Sequence, residues 1–225
     1  MTPIEAKPGT LVVFRDLGCP WAHLCLERLW SARARLGLEG AVTCELRAFP
    51  LELFNERPTP KPTLDAEIAL LSAHAPEAGQ RPWSAPDHHW PVTMLPALEA
   101  VAAAALSSRS GAEQLDRALR LAFYRDHQTI CLRHVILEAA RTCPDVRLDA
   151  FVEAFDSGAG RRAVMADFEL ARSDAVRGSP HVFAPGGYDL HNPGIELHWE
   201  GKTPVIDRDD PDVYERLLLA AAGGQ

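Results

Sequence analysis

The sequence has no unbroken run of about 18 apolar residues, the length that a membrane-spanning helix needs. It is also short of positive charge: 23 Lys and Arg residues face 31 Asp and Glu residues, which gives a net charge of −8 with histidine neutral. Nucleic-acid binding draws on clustered Lys and Arg, and the sequence contains no such cluster. We therefore expect neither a membrane nor a nucleic acid as a partner.

Cysteine is scarce as well. The five cysteines are too few and too scattered for a disulfide scaffold, and an odd number leaves at least one unpaired. Residues 1–8 contain no charged segment followed by an apolar stretch, so the N-terminus does not resemble a secretory leader. With 225 residues and 47% hydrophobic content, the chain is long enough for a globular core. These features favour a soluble, cytoplasmic protein with reduced thiols.

The first 50 residues predict a strand, a helix and a second strand. Thr10–Phe14 is a short apolar run with β-branched members, typical of a buried strand. Pro20 suits the first position of a helix that ends at Gly37. The apolar stripe of this helix consists of Ala22, Cys25, Leu26, Leu29 and Trp30. Ala41–Phe49 predicts the second strand, and strands joined by a helix pair in parallel by default.

The middle of the chain changes character twice. Nine of the 18 prolines lie between residues 50 and 96, which predicts ordered loop with one helix from about Leu64 to Ala73. This loop carries four ring side chains: Trp83, His88, His89 and Trp90. We expect His88, His89 and Trp90 to fasten the loop to the helices, with a wall over a substrate cleft at Cys19 as the alternative. Residues 95–173 are helical in pattern, and their alanine-rich faces predict a compact bundle.

The C-terminal part returns to strands. A turn at Gly178-Ser179-Pro180 leads into a short strand, and Gly186-Gly187 predicts a hairpin turn. A further strand is predicted at Ile195–Trp199. Asp210 is expected to be the N-cap of a terminal helix, with Pro211 at its first position.

Cys19 is the candidate nucleophile. It lies between a predicted strand and the first turn of a helix, where free backbone N–H groups and the helix dipole favour a thiolate. In such places the pKa of a cysteine falls from about 8.5 to roughly 3.5–7.5. We therefore expect an apparent pKa below about 8 and the fastest alkylation of the five thiols. The alternative is a buried, inert cysteine.

Two motifs and the segment between them resemble a known family. Cys19-Pro20-Trp21 after a strand, a helical insertion, and Gly178-Ser179-Pro180 before a later strand are similar to the DsbA family of the thioredoxin superfamily. The likeness spans about Leu11 to Leu218. It is greatest to the FrnE-like branch, with 2-hydroxychromene-2-carboxylate isomerases and kappa-class glutathione transferases as relatives.

The resemblance implies an α/β, thioredoxin-like fold with a large α-helical domain inserted after the first βαβ unit. Residues 10–50 and 174–222 would form the thioredoxin-like domain. Residues 51–173 would form the insertion, a Pro-rich loop (51–95) followed by an α-helical bundle (96–173). The resemblance also implies a cis Ser179–Pro180 bond, whose loop lies against Cys19 and positions a thiol substrate, with Pro20 and Trp21 shaping the site.

The motif departs from the family pattern at its fourth position, where FrnE-like proteins usually carry a second cysteine and this chain carries Ala22. Cys25 is no substitute, because six residues of helix rise about 9 Å, beyond the ~7 Å Cα limit for a disulfide. We expect packing roles for Cys25, Cys44 and Cys131, and an exposed Cys143.

What remains is a thiol–disulfide or thiol-transfer enzyme with one nucleophile. A mixed disulfide on Cys19 would be resolved by a low-molecular-weight thiol such as glutathione or mycothiol, and no tightly bound cofactor is expected. Substrates would be small thiols or disulfides, or protein thiols, and the resemblance allows a homodimer. Two alternatives stay open: a glutathione-type isomerase or transferase acting on an aromatic electrophile, and a binding module without catalysis.

Other polar residues have competing interpretations. His23 would tune the thiolate as a cation or carry its proton, unless it is merely solvated. The spacing of His191, Glu196 and His198 matches no metal-ligand motif, so we predict no metal site. Three carboxylates near the C-terminus, Asp207, Asp209 and Asp210, suit a turn and a helix cap, with the ammonium of a γ-glutamyl thiol as an alternative partner.

Overall fold

A four-stranded sheet forms the centre of the computed structural model, which describes residues 4–173 and 175–223. The strand order is β2 (Thr43–Ala48), β1 (Thr10–Arg15), β3 (His181–Ala184) and β4 (Tyr188–His191). β1 and β2 are parallel, as predicted, with Thr10 beside Thr43. β3 runs antiparallel to both β1 and β4. All six residues of β1 are buried, which explains its continuous apolar run.

The two faces of the sheet carry separate clusters of buried side chains. On one face α1 (Pro20–Arg35) and α9 (Val213–Ala221) pack together through residues such as Leu26, Leu29 and Leu217. On the other face Val12, Phe14 and Phe183 form a smaller cluster. The alternation of β1 side chains between the two clusters is the period of two expected of a strand covered on both sides.

The segment between β2 and β3 is mostly helical. Its α-helices are α2 (Leu51–Phe54), α3 (Lys61–His74), α4 (Leu95–Ala105), α5 (Arg109–Tyr124), α6 (Arg133–Arg141), α7 (Leu148–Asp156) and α8 (Ala159–Ala171). Glu113 and Asp167 attach this segment to the sheet, because their carboxylates accept the backbone N–H groups of Cys44 and Ala48, each at 2.8 Å. The free edge of β2 is thereby hydrogen-bonded to α5 and α8.

Small residues bring the helices of this bundle close together. In α4, Ala97, Ala100 and Ala103 are fully buried, and this helix packs against α5, α7 and α8. Gly160 is the tightest point, because a Cβ atom there would collide with the backbone carbonyl oxygen of Glu99 on α4. The compact bundle predicted from the alanine-rich faces is therefore present.

Substitution of Gly160 by alanine is expected to lower the free energy of unfolding by about 1–3 kcal/mol, because α8 must move away from α4. Urea unfolding followed by circular dichroism measures the change. Gly40→Ala is the matched control, since a Cβ atom at Gly40 meets nothing within 4 Å. Equal midpoints for the two variants would show that the contact between α4 and α8 is not tight.

The strands after the bundle differ from the prediction. The Gly186-Gly187 turn is present, but it joins β3 to β4, a short strand that the sequence pattern did not predict. The predicted strand at Ile195–Trp199 is observed as β5 (Ile195–Glu200), and it pairs with β6 (Thr203–Asp209) in a separate two-stranded sheet. Four strands therefore follow the bundle, and the prediction of two was wrong.

Smaller differences concern the last helix and the thiols. The terminal helix starts at Val213 with Asp212 as its N-cap, two residues later than predicted, and Asp210 instead accepts the N–H of Asp212. Cys131 lies in a turn before α6 and is partly exposed, whereas Cys143 is buried, so both predictions were wrong.

The predicted domain boundaries remain predictions, and the one at residue 174 lies outside the described residues. Among the described residues, no helix has both the length and the apolar character needed to cross a bilayer.

Candidate active site

Cys19 lies at the junction of β1 and α1, against the loop that precedes β3. It occupies the N-cap position of α1, and Pro20 is the first helical residue. Its thiol donates a hydrogen bond to the carbonyl oxygen of Ser179 at 3.1 Å, and the Ser179–Pro180 peptide bond is cis. The structure thus brings together Cys19, Pro20, Ser179 and Pro180, which come from two motifs 160 residues apart.

Asp16 ties together the backbone around Cys19. Its backbone N–H donates to the Ser179 hydroxyl at 2.8 Å. Its two carboxylate oxygens accept the N–H groups of Gly18 at 2.6 Å and Leu51 at 2.9 Å. Its carbonyl oxygen accepts the N–H of Cys19 and a guanidinium N–H of Arg120. The role of Asp16 was not predicted, because its partners outside the loop, Leu51, Arg120 and Ser179, are distant in sequence.

The acidity of Cys19 is the reverse of the prediction. Only 4% of the residue is exposed, and burial raises the pKa of the Cys19 thiol to about 12, with the Glu67 carboxylate as the next cause. The Ser179 side chain and the Ala22 backbone lower the pKa of Cys19, but they do not compensate for burial. At neutral pH the resting group is therefore a thiol, and the partly exposed Cys131 is the thiol that alkylating reagents reach more easily.

Trp21 connects the site to the inserted helices. Its indole N–H donates to the Glu67 carboxylate on α3 at 2.9 Å. Cys19, Trp21 and Ala22 share one buried cluster with Leu71 on α3 and with Ala75, the residue that follows the helix. Sequence reasoning missed Glu67, since an acidic residue in an amphipathic helix gives no sign that the helix covers a site 48 residues earlier.

His23 is not part of the thiol site. It is fully buried, its ring stacks on Tyr124 with centroids 4.5 Å apart, and its Nε2–H donates to the Ala78 carbonyl oxygen at 2.9 Å. Burial, with the Arg120 cation as the next cause, lowers the pKa of His23 to about 3. The imidazole is neutral, so the prediction of a cation beside Cys19, and its solvated alternative, were both wrong.

A small, mostly apolar cleft begins at Gly18, next to Cys19. Its walls include Leu51, Leu64, Trp90 and Met94. Trp90 also packs edge-on against Trp83 at 4.9 Å between centroids, and both rings contact Phe123 on α5. The two tryptophans therefore fasten the loop to the bundle, as predicted for Trp90, and Trp90 also lines the cleft, as the alternative proposed. His88 and His89 lie in a short 3-10 helix, Asp87–His89, outside the cleft lining.

Three of the other four thiols lie in buried clusters that do not contain Cys19. Cys25 and Cys44 belong to the buried cluster between the sheet and α1, and Cys143 is part of the bundle core. All five cysteines are free thiols. The packing roles predicted for Cys25 and Cys44 are confirmed.

The carboxylates near the C-terminus already have partners. Asp209 forms a two-point pair with Arg28 at 2.6 and 2.8 Å, Asp207 binds His198 at 2.9 Å, and Asp210 binds Arg216 at 2.7 Å. These pairs occupy part of each carboxylate, and binding of the ammonium of a γ-glutamyl thiol remains a prediction. Across the described parts of the chain, no three His, Cys, Asp or Glu side chains come together as a metal site.

Comparison with known proteins agrees with this geometry. A family model described as "DSBA-like thioredoxin domain" matches residues 10–212. No curated protein sequence matches the chain. Among solved structures, a "probable DsbA oxidoreductase" from Streptomyces coelicolor is similar, with a TM-score of 0.62, 17% identity and coverage of 96% of this chain and 91% of that chain.

Three further structures are similar in fold. The cytosolic disulfide reductase DsbM from Pseudomonas aeruginosa has a TM-score of 0.58 and 17% identity, covering 93% of this chain and 96% of that chain. The same reductase with GSH has a TM-score of 0.54 and 18% identity, covering 81% and 89%. A 2-hydroxychromene-2-carboxylate isomerase has a TM-score of 0.56 and 15% identity, covering 80% and 87%.

Proposed function

The chain belongs to the family of DSBA-like thioredoxin domains, and from this membership we propose that it catalyses thiol–disulfide exchange through a single cysteine, Cys19. The observation that carries the proposal is the contact of the Cys19 thiol with Ser179, next to the cis Ser179–Pro180 bond, with alanine at position 22. The Cys19-Pro20-Trp21 motif favours the FrnE-like branch of the family.

One cysteine is sufficient when a second thiol comes from solution. The Cys19 sulfur attacks one sulfur of a substrate disulfide, the S–S bond breaks, and the other half leaves as a thiol that takes up the proton given by Cys19. A low-molecular-weight thiol then attacks the mixed disulfide, forms a new disulfide with the substrate half, and returns Cys19 to its thiol form. The net reaction transfers one thiol group and needs no bound cofactor.

Glutathione is the thiol to test first and mycothiol the second. The support for glutathione is the similar fold of DsbM, a cytosolic reductase whose structure was solved with GSH. The five free cysteines favour a reducing compartment such as the cytoplasm. Because Cys19 is buried, small disulfides are the proposed substrates ahead of protein disulfides.

Incubation with oxidised glutathione tests the proposal. We expect one glutathionyl group on Cys19 by peptide mass spectrometry, release of that group by added reduced glutathione, and loss of both steps in Cys19→Ser. Cys131→Ser is the matched control, because it removes the more exposed thiol and leaves Cys19 in place. An adduct that disappears in Cys131→Ser and persists in Cys19→Ser would overturn the proposal.

A second function is favoured by the raised pKa of Cys19. A group that keeps its proton at neutral pH is able to donate a hydrogen bond to the thiolate of a bound thiol, which is the chemistry of a glutathione-type isomerase or transferase. In that case Cys19→Ser retains activity, and reduced glutathione raises the melting temperature without forming an adduct. A protein that shows neither an adduct nor such a shift would act as a binding module.

A further inference from the structure

Glu67 is a buried carboxylate beside the candidate nucleophile. Only 9% of the residue is exposed, and its Oε1 accepts the indole N–H of Trp21, two residues after Cys19, at 2.9 Å. Leu71 follows Glu67 by one helical turn, and Ala75 is the C-cap residue that ends α3; both belong to the buried cluster that contains Cys19. One face of α3 therefore covers the first turn of α1, with Glu67 on that face.

The charge of Glu67 is not neutralised. Within the described residues, no arginine, lysine or histidine forms an ion pair with it. Burial raises the pKa of Glu67 to about 7, although the hydrogen bond from Trp21 lowers it. The Glu67 charge in turn raises the pKa of the Cys19 thiol, after burial the largest cause. The buried Asp16 carboxyl, whose pKa is also raised by burial, is the other acid whose charge raises the pKa of Cys19.

We propose that Glu67 carries the proton of Cys19 during thiol–disulfide exchange, directly or through one water molecule. This inference rests on the proposed function and adds a base and acid to it. As the Cys19 sulfur bonds to the substrate, its proton passes to the Glu67 carboxylate, and Glu67 then protonates the thiolate that leaves. In the second half of the cycle, Glu67 accepts the proton of the incoming thiol and returns it to Cys19.

The Trp21 hydrogen bond gives Glu67 a fixed position for this role. With Oε1 held by the indole, the second oxygen, Oε2, is available for a proton. The proton of Cys19 needs an acceptor when the sulfur attacks, because the resting group is a thiol. Its hydrogen-bond partner, the Ser179 carbonyl oxygen, does not take up a proton at neutral pH, whereas a free carboxylate does. The inserted helices would then contribute to the chemistry as well as cover the site.

Glu67→Gln separates proton transfer from simple electrostatics. The glutamine carbonyl oxygen still accepts the Trp21 indole N–H, but the glutamine side chain has neither the charge nor a proton that titrates near neutral pH. We expect the pKa of Cys19, followed by thiolate ultraviolet absorbance, to fall because a neighbouring negative charge is gone. We also expect adduct formation with oxidised glutathione at pH 7 to slow by about 100-fold or more, the usual contribution of general acid–base catalysis.

The pH profile gives a readout that a structural role would not change. In the wild-type protein the rate should rise with the ionisation of Glu67 near pH 7 and then level off. In Glu67→Gln this rise should disappear, leaving only the rise that follows the thiolate. Trp21→Phe should retain the rise but move it to higher pH, because the indole hydrogen bond that lowers the pKa of Glu67 is lost.

Glu113→Gln is the matched control, since Glu113 also accepts an indole N–H, that of Trp30 at 3.0 Å, but lies at the β2 edge. It should leave the wild-type profile unchanged. Equal or faster exchange in Glu67→Gln, with a lowered pKa of Cys19, would overturn the proton-carrying role alone. A wild-type protein that does not react with oxidised glutathione would overturn the proposed function together with this role.

Urea unfolding shows whether Glu67→Gln is folded and whether the folded wild-type protein holds a proton on the Glu67 carboxyl group. The folded state raises the pKa of Glu67, so the folded protein binds this proton more tightly than the unfolded chain does. Stability from this group is therefore lost as the pH rises from about 4.5 toward 7. Relative to wild type, Glu67→Gln should gain in urea midpoint between pH 5 and pH 8. A constant difference would contradict the raised pKa.

Discussion

Replacement of Asp116 by alanine is expected to lower the free energy of unfolding by about 3–5 kcal/mol, the cost of removing one partner from a buried ion pair. Asp116 is fully buried on α5 and lies between two arginines. Its oxygens are 2.9 Å from Arg15 Nε and 2.5 Å from Arg120 Nε. Both arginines are almost completely buried, so the alanine variant would leave two cations facing each other without water.

The same substitution should also affect the site. Arg120 donates to the Asp16 carbonyl oxygen, and Asp16 organises the loop that holds Cys19. Urea unfolding at pH 7 measures the stability, and adduct formation with oxidised glutathione measures the site. Asp156→Ala is the matched control, because Asp156 forms a two-point pair with Arg133 on the surface. Its midpoint should not change; a loss in Asp116→Ala no larger than in this control would refute the prediction.

The sequence pattern was sufficient where secondary structure is determined locally. The parallel βαβ unit followed from the apolar run of β1 and the stripe of α1, and α4 to α8 all lie within the region 95–173 that was predicted to be helical. β4 and β6 were missed for a physical reason. β4 is only four residues long and alternates between exposed and half-buried positions, while β6 is rich in aspartate, which has low strand propensity.

The environment of Cys19 could not be predicted, because it depends on a distant part of the chain. The lowered pKa was predicted only from the position of Cys19 at the N-terminus of α1, which favours a thiolate. In the structure α3 covers that terminus and adds both desolvation and the Glu67 charge, and these reverse the sign. His23 shows the same error: it lies off the apolar stripe of α1, but the inserted helices bury the opposite face too.

The strongest test of the single-thiol mechanism is to supply the second thiol. Ala22→Cys is expected to convert the site into a self-contained dithiol. Residues three apart in a helix have Cα atoms about 5 Å from each other, within the 4.4–6.8 Å Cα range of disulfides. Ala22 already belongs to the same buried cluster as Cys19, so the new thiol would begin close to it. The added sulfur enters a fully buried position, which should cost about 1–3 kcal/mol of stability.

In one turnover with oxidised glutathione, the wild-type protein should stop at the mixed disulfide on Cys19. In Ala22→Cys the new thiol attacks that disulfide, both glutathione halves leave as thiols, and the protein ends with an internal disulfide and two hydrogens fewer. Intact mass spectrometry distinguishes the two products. Ala22→Ser, of similar size without a thiol, should behave as wild type. If Ala22→Cys accumulates the same adduct as wild type, the alanine is not what makes the enzyme depend on an external thiol.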